Sequence, residues 1–310
     1  MKKANGAEVW PSLPLDAWRD TYATLHMWTQ VIGKIRLARA PMLNHWWQVP
    51  LYVTARGLTT SPIPYGTDTF QIDFDFITHR LVIDTSNGAE RTFALGSYPV
   101  AEFYERVMAA LAELGLDIRI WTHPVEVEQS IPFEQDRQHA TYDPEYANRV
   151  WRILVQTDRV LHQFRSGFLG KASPVHFFWG GFDLALTFFS GRRAPPHPGG
   201  IPNLGDWVNR ESYSHECSST GFWPGSGAIQ EPAFYAYTYP EPSGYSEAHV
   251  QPGQAFYSPD MRLFILRYED VRSAADADAA LLAFFRSTYD AAADLAAWDR
   301  AALERETRPS

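Results

Sequence analysis

The order of its predicted elements constrains this chain most, because the same order occurs twice. A long helical pattern, a group of strand patterns and a second helical pattern occupy residues 16–115 and again residues 144–298. Residues 45–47 and 176–178 both read His-aromatic-aromatic after the first helix of their half. Helices that cover antiparallel strands are typical of α+β proteins. We therefore predict an α+β fold with two related helix–antiparallel-strands–helix halves, packed about a pseudo-twofold axis.

Four helices follow from apolar residues spaced three and four positions apart. Asp143 before Pro144 is an N-cap followed by a first-turn proline, and Gly115 is a C-terminal stop signal. Asp16 and Ser273 are the predicted starts of the first and last helices. The helices are predicted over residues 16–38, after Pro99, from Pro144, and over residues 273–298.

The segments between these helices carry strand patterns. Residues 175–189 are apolar on both alternating faces, which predicts one strand buried on both sides. Residues 211–217 are interpreted as another strand. The full set of predicted strands is 51–56, 70–76, 81–84, 91–95, 175–189, 211–217 or 234–239, and 262–266.

The second half is longer because a stretch rich in glycine and proline, residues 191–227, interrupts its strands. We predict a first α+β repeat over residues 10–125, a linker over residues 126–143, and a second repeat over residues 144–300. Function in a scaffold concentrates on such loops. We therefore expect one ligand pocket, biased toward the second half and covered by residues 191–227.

The amino-acid composition limits the classes of ligand and partner that this chain is expected to bind. The 11 Trp, 15 Tyr and 19 Phe residues exceed what a core needs, so some are expected to line the pocket. The net charge of −9 argues against nucleic acid and anionic membranes, because phosphate binding requires clustered lysine and arginine. The single cysteine, Cys217, favours a reducing compartment. We expect a cytoplasmic protein with a small-molecule ligand and with neither nucleic acid nor a membrane as partner.

Asp183 is the first candidate for chemistry, because it lies within the apolar segment 175–189. A carboxylate in such surroundings is costly unless it is paired, and perturbed pKa values cluster at functional sites. The alternative is a structural role in which Asp183 binds an arginine or backbone amides.

Residues 211–217 supply the second candidate. In a strand, Glu211 and His215 share a face, and an imidazole oriented by a carboxylate is a common general base. We predict His215 as the acid/base catalyst, with Asp183 and Glu211 as its partners. A surface strand that carries the same residues without catalysis is the alternative.

Metal binding is a weaker interpretation. His176, His215 and either Glu211 or Asp183 could form a set of two histidines and one carboxylate. No local metal motif supports that set, and His176 could instead cap a helix. The sequence predicts no metal and no cofactor. The predicted substrate-binding residues are His176, Trp179, Arg192, Trp223, Tyr235 and Tyr237.

Four segments resemble a known family: residues 10–14, 51–58, 173–180 and 213–216. They are similar to a bacterial family called domain of unknown function 5996, over roughly residues 10–272. The resemblance implies no activity, cofactor or catalytic residue, so the function must be argued from the residues.

These patterns favour a small-molecule enzyme with a His/carboxylate acid-base site in an aromatic-lined pocket. A non-catalytic binding protein for an aromatic or sugar-like ligand is the first alternative. A metal enzyme using His176 and His215 is the second.

Overall fold

The protein consists of two antiparallel sheets and the helices that cover them. The structure is a computed structural model, and it describes residues 8–227 and 229–306. Within these residues there are seven helices and two sheets of six strands each, so the predicted α+β class is confirmed. None of the described helices is long and apolar enough to cross a membrane. The helices are α1 (Leu15–Arg39), α2 (Val100–Glu113), α3 (Pro144–Arg165), α4 (Asp206–Ser212), α5 (Tyr268–Arg272), α6 (Ala277–Leu295) and α7 (Arg300–Leu303).

The first sheet lies between α1 and α2 in the sequence. Its order is β1-β2-β4-β5-β6, with β3 paired to β4. Phe74 of β4 is buried and stacks on Phe103 of α2, with ring centroids 6.2 Å apart, and Phe103 stacks on Trp28 of α1 at 4.7 Å. These contacts fix both helices to one face of the sheet. The strands are β1 (Tyr52–Val53), β2 (Gly57–Thr59), β3 (Ile63–Tyr65), β4 (Asp68–Asp75), β5 (Arg80–Thr85) and β6 (Glu90–Ala94).

The second sheet lies between α3 and α6 in the sequence, in the order β11-β12-β10-β9-β8-β7. Phe188 of β8, the strand beside the edge strand β7, packs against Phe164 of α3 at 5.0 Å and meets Tyr289 of α6 edge-on at 5.4 Å. Helices α3 and α6 therefore cover this sheet. Its strands are β7 (His176–Phe178), β8 (Asp183–Arg193), β9 (His215–Trp223), β10 (Ala233–Tyr239), β11 (Phe256–Ser258) and β12 (Leu263–Arg267).

The single strand predicted over residues 175–189 is wrong. The segment is a hairpin in which β7 and β8 pair, with Phe178 opposite Asp183. Gly180 and Gly181 lie in the turn, and Phe182 has a φ of 55°, in the left-handed region. The turn is hidden in the sequence because apolar residues continue across it. The turn places Asp183 at the first position of β8.

The strand predicted over residues 211–217 is also wrong in part. Glu211 belongs to α4, which ends at Ser212, and β9 begins at His215. Trp207 of α4 packs edge-on against Trp46 at a centroid distance of 5.0 Å. This tertiary contact holds the segment as a helix although its local alternation favours a strand.

Two of the predicted helix starts need correction. Helix α1 begins at Leu15 after Pro14, so Asp16 lies in its first turn. At the other end of the chain, Asp276 caps α6 by accepting a hydrogen bond from the amide of Ala279, and Ser273 follows the short helix α5. The Asp143 cap of α3 and the left-handed Gly115 after α2 are confirmed.

The two halves meet at a short bridge. Leu51 and Phe177 exchange two backbone hydrogen bonds of 2.9 Å, which join β7 to the residue before β1. Beside this bridge the indole of Trp179 lies against Gly33 of α1, where a Cβ would approach its ring to 2.3 Å. Buried apolar residues of both halves form one cluster.

The duplication stays a prediction. His45 lies in a 3-10 turn, Asn44–Trp46, whereas its sequence counterpart His176 begins β7. The domain boundaries at residues 125 and 144 likewise stay predictions.

Candidate functional site

A cavity of about 400 Å³ lies beside the bridge between the two halves. Its walls come from α1, the loop after α2, the β7-β8 hairpin, and the segment that contains α4. A volume of this size suits a small organic ligand. Aromatic rings supply much of the wall: Trp46, Trp47, Trp121, Phe178, Trp179, Phe189, Trp207, Tyr213, Tyr235 and Tyr237.

Asp183 faces this cavity from the start of β8. The hydroxyl of Tyr235 on β10 donates a hydrogen bond of 2.5 Å to Asp183 Oδ2. Among the described residues Asp183 has no arginine or lysine partner, so the structural alternative of a buried ion pair does not hold. Burial raises the pKa of Asp183 to about 6, and hydrogen bonds from Tyr235 and from the backbone amide of Asp183 itself oppose this rise.

Glycine is required where Tyr235 crosses to Asp183. Gly221 of β9 pairs with Tyr235 on one side and with Ala185 of β8 on the other. A Cβ on Gly221 would lie 2.8 Å from the Tyr235 hydroxyl and 1.9 Å from the carbonyl oxygen of Leu184. The absence of a side chain at Gly221 therefore lets the phenol pass over β9.

Glu126 brings a second carboxylate to the same place. A Cβ on Gly181 would lie 2.9 Å from Asp183 Oδ1 and 3.7 Å from Glu126 Oε2, so both carboxylates approach one point. The backbone amide of Glu126 donates to the carbonyl of Pro202 at 2.8 Å, and its φ of 60° turns the chain there. These features hold the loop after α2 against the segment around Pro202, whose neighbours Ile201 and Asn203 line the cavity.

The environment of Glu126 favours its protonated form. The side chain of Glu126 is exposed to the cavity, and the cavity wall keeps its carboxylate away from bulk water. This partial loss of solvent, followed by the charge of Asp183, raises the pKa of Glu126 above its usual value. No donor of the described residues hydrogen-bonds the carboxylate of Glu126. The two acids therefore differ in environment, since only Asp183 has a donor.

Lys34 lies in the cavity wall on α1 and is 3% exposed. Its Nζ lies 4.5 Å from the ring centroid of Trp121 and 5.8 Å from that of Trp179. Burial lowers the pKa of Lys34 to about 8, so its ammonium is mainly charged at neutral pH. In the described chain this ammonium has no hydrogen-bond or ion-pair partner.

Two further tyrosines line the cavity as neutral hydroxyl groups. The Tyr213 and Tyr237 hydroxyls share a hydrogen bond of 2.7 Å, and the Tyr237 ring stacks on Tyr235 at 6.1 Å. Burial raises the pKa of both Tyr213 and Tyr237 above the usual range. Both remain protonated near neutral pH and can hydrogen-bond a ligand.

The structure does not bring His215 to Asp183. His215 pairs with Arg193 at the far end of the β8-β9 ladder, whereas Phe222 pairs next to Asp183, at Leu184. At about 3.3 Å per residue, His215 lies on the order of 20 Å from Asp183. Burial, then the charges of Lys171 and Arg193, lower the pKa of His215. Glu211, in α4, does not share a strand face with His215 and does not line the cavity.

Of the six predicted substrate-binding residues, Trp179, Tyr235 and Tyr237 line the cavity. Arg192 instead pairs with Glu216 at 2.7 Å and donates to the carbonyls of Ala296 and Ala297. Trp223, at the end of β9, does not line the cavity.

His176 is buried outside the cavity. It is 1% exposed, and neither ring nitrogen has a hydrogen-bond partner among the described residues. Burial lowers the pKa of His176 to about 3, so this ring is neutral. It packs edge-on against Trp47, Tyr52 and Phe178. The ligand set that the metal interpretation needs does not assemble, because no cluster of three His, Cys, Asp or Glu side chains suited to a metal occurs in residues 8–227 and 229–306.

Comparison with known families decides the classification. A family model matches residues 10–305. The chain belongs to DUF5996, a family of unknown function. No curated protein and no solved structure matches this DUF5996 chain.

Sequence reasoning missed Glu126 and Lys34 of this DUF5996 chain. Glu126 lies in a loop without helical or strand periodicity, inside the predicted linker 126–143. Lys34 lies on α1, where a single lysine is ordinary. One signal was available, since Lys34 is the only lysine in the stretch from residue 4 to residue 170.

Proposed function

We propose that this DUF5996 chain is a small-molecule enzyme that transfers protons with Asp183 and Glu126. The observation that carries the proposal is the convergence of two carboxylates, neither with a cationic partner in residues 8–227 and 229–306, on one point of an aromatic cavity. An ionised carboxylate that protein encloses, as Asp183 is, destabilises the fold unless a cation pairs with it, whereas Glu126 is open to the cavity and adds the second acid. Sites arranged in this way are candidates for acid-base catalysis.

The two acids take different roles. The hydrogen bond from Tyr235 stabilises the ionised form of Asp183, whereas Glu126 has no such donor. Asp183 therefore loses its proton more readily than Glu126 does. A pair whose environments separate its pKa values in this way assigns the base to Asp183 and the acid to Glu126.

The reaction class follows from these roles. Glu126 donates a proton to one atom of a bound substrate while Asp183 accepts a proton from another atom or from water. Hydroxyl groups of Tyr213 and Tyr237 orient a polar substrate, and the tryptophan rings cover its apolar face. His215 takes no part, because its position on β9 is too distant.

A metabolite extract incubated with the protein and followed by mass spectrometry tests the proposal. We expect wild type to convert at least one metabolite, with Asp183→Asn and Glu126→Gln slower by about 100-fold or more. Glu211→Gln and His215→Ala are matched controls outside the cavity and should keep the wild-type rate. Conversion by Asp183→Asn at the wild-type rate would contradict the proposal.

A non-catalytic binding protein for an aromatic or sugar-like ligand is the second candidate. Trp121 and Trp207 line the cavity yet are 59% and 63% exposed, which favours ligand stacking at its mouth. In the same experiment this candidate predicts a metabolite that is retained by the protein but not converted.

We propose a cytoplasmic location and a small molecule rather than nucleic acid as the partner. Support comes from the net charge of −9 and from the single, buried Cys217. An electrophoretic shift of DNA or RNA at physiological salt would contradict the choice of partner.

A further inference from the structure

We propose that the ligand of this cavity is an organic acid whose carboxylate binds Lys34 while its other end reaches Asp183 and Glu126. The inference rests on the proposed function, since it assigns a substrate class to the same cavity. Its test can fail separately, because it measures binding rather than turnover.

The ammonium of Lys34 has no hydrogen-bond or ion-pair partner among the residues that the structure describes, unlike the other buried cation of α1. Arg36, on the same helix and also buried, donates to the carbonyl oxygens of Gln48 and Thr60. By contrast, Lys34 Nζ faces the rings of Trp121 and Trp179 and the cavity. A buried ammonium that contacts only ring faces is incompletely compensated. A bound anion completes its environment.

The carboxylates of the cavity do not neutralise Lys34. Among the described residues, no carboxylate oxygen lies within 4.0 Å of Lys34 Nζ, the distance that an ion pair requires. Asp183 and Glu126 line the same cavity as Lys34, yet neither carboxylate forms an ion pair with it. In the part of the chain that the structure describes, the cavity wall therefore carries an unpaired ammonium and two carboxylates that do not touch it.

Two chain segments each bring a ring to Lys34 and a carboxylate to the same cavity. The loop after α2 provides Trp121 beside Lys34 and then Glu126, and the β7-β8 hairpin provides Trp179 beside Lys34 and then Asp183. A ligand with its anion at Lys34 therefore contacts these two rings in the cavity that Asp183 and Glu126 also line. Repulsion by Asp183 excludes the reverse orientation.

The charge at Lys34 indicates a carboxylate rather than a phosphate. Lys34 is the one lysine or arginine that lines the cavity in the described chain. Phosphate sites generally combine several donors, an arginine fork or a helix N-terminus. One ammonium matches the single charge of a carboxylate. Burial, which lowers the pKa of Lys34, also strengthens its attraction for an anion.

Calorimetric titration with 3-phenylpropanoate, 4-hydroxyphenylacetate and indole-3-acetate tests this inference, each beside its neutral primary amide. We expect at least one acid to bind wild type about tenfold or more tightly than its amide. In Lys34→Met this preference should fall below about threefold, because the charge is removed while the side-chain length is kept. Lys171→Met is the matched control, since Lys171 donates to His45 from outside the cavity lining and should leave the preference intact.

Two results would overturn the inference: no acid bound more tightly than its amide by wild type, or an unchanged preference in Lys34→Met. A thermal melt confirms that Lys34→Met is folded, and Lys34→Gln replaces it if it is not. Asp183→Asn keeps the acid preference if the inference holds, whatever happens to turnover. A preserved preference with undiminished turnover in Asp183→Asn would reject the catalytic proposal alone.

Discussion

The hydroxyl of Tyr235 reaches across β9 and donates a 2.5 Å hydrogen bond to Asp183 on β8. This contact joins the chemistry of the cavity to the register of three strands, because Gly221 lies between the two residues. It also gives Asp183 a different environment from Glu126. Four predictions follow from this arrangement and from the neighbouring helix α1.

Tyr235→Phe should raise the pKa of Asp183, because the lost hydrogen bond favours the ionised carboxylate. The acidic limb of the pH–activity profile should therefore move to higher pH, with a rate loss at neutral pH of about tenfold. The profile of kcat/KM against pH measures this. An unmoved acidic limb would show that Asp183 is not the base.

Gly221→Ala should destabilise the fold by about 2–4 kcal/mol, because the new Cβ would lie 1.9 Å from a backbone carbonyl that cannot move freely. Gly253→Ala is the control, since a Cβ there meets nothing within 4 Å and the change should stay within about 0.5 kcal/mol. Urea denaturation of both variants gives the two values. Equal stability in the two variants would contradict the close packing at Gly221.

The stability of wild type relative to Asp183→Asn should depend on pH with a defined sign. The folded-state pKa of Asp183 is raised from 3.8 to about 6, so its contribution to stability is complete below pH 3.8 and is lost as pH rises through 6. In the variant, the asparagine at position 183 has no titratable proton. Thermal melts from pH 4 to pH 7 should show wild type falling by several degrees relative to the variant. A difference that stays constant would refute the raised pKa.

Arg36→Met and Lys34→Met should differ in stability although both remove a buried cation of α1. Arg36 donates to two backbone carbonyls and lies 5.1 Å from the Tyr52 ring, so its loss should cost about 2–4 kcal/mol. Lys34 has no such partners in the described part of the chain, so Lys34→Met should cost less than about 1 kcal/mol or stabilise the fold. Paired denaturation curves compare the two. A larger loss for Lys34→Met would assign Lys34 a structural role.

Much of the secondary structure could be predicted because it is encoded locally. Apolar spacing predicted α1 and α2, Asp143 and Pro144 predicted the start of α3, and alternation predicted β4. Asp183 could be identified for the same reason, since a carboxylate within an apolar segment stands out in the sequence.

Local patterns failed where a long-range contact decided the outcome. The segment around Glu211 alternates like a strand, yet α4 forms because Trp207 packs on Trp46, which lies far away in the sequence. His215 could therefore not be separated from the site by its pattern alone. The turn at Gly180 was similarly hidden among apolar residues.

The sequence by itself determined an α+β chain, its main helices, and an acid in an apolar setting. Only the tertiary structure decided which groups share the cavity with that acid. Glu126 and Lys34 come from a loop and a helix whose own spacing says nothing about Asp183, and they converge through the packing of the two halves beside Leu51 and Phe177. The physical reason is that periodicity reports which face of an element is buried, whereas the meeting of side chains depends on how those faces pack.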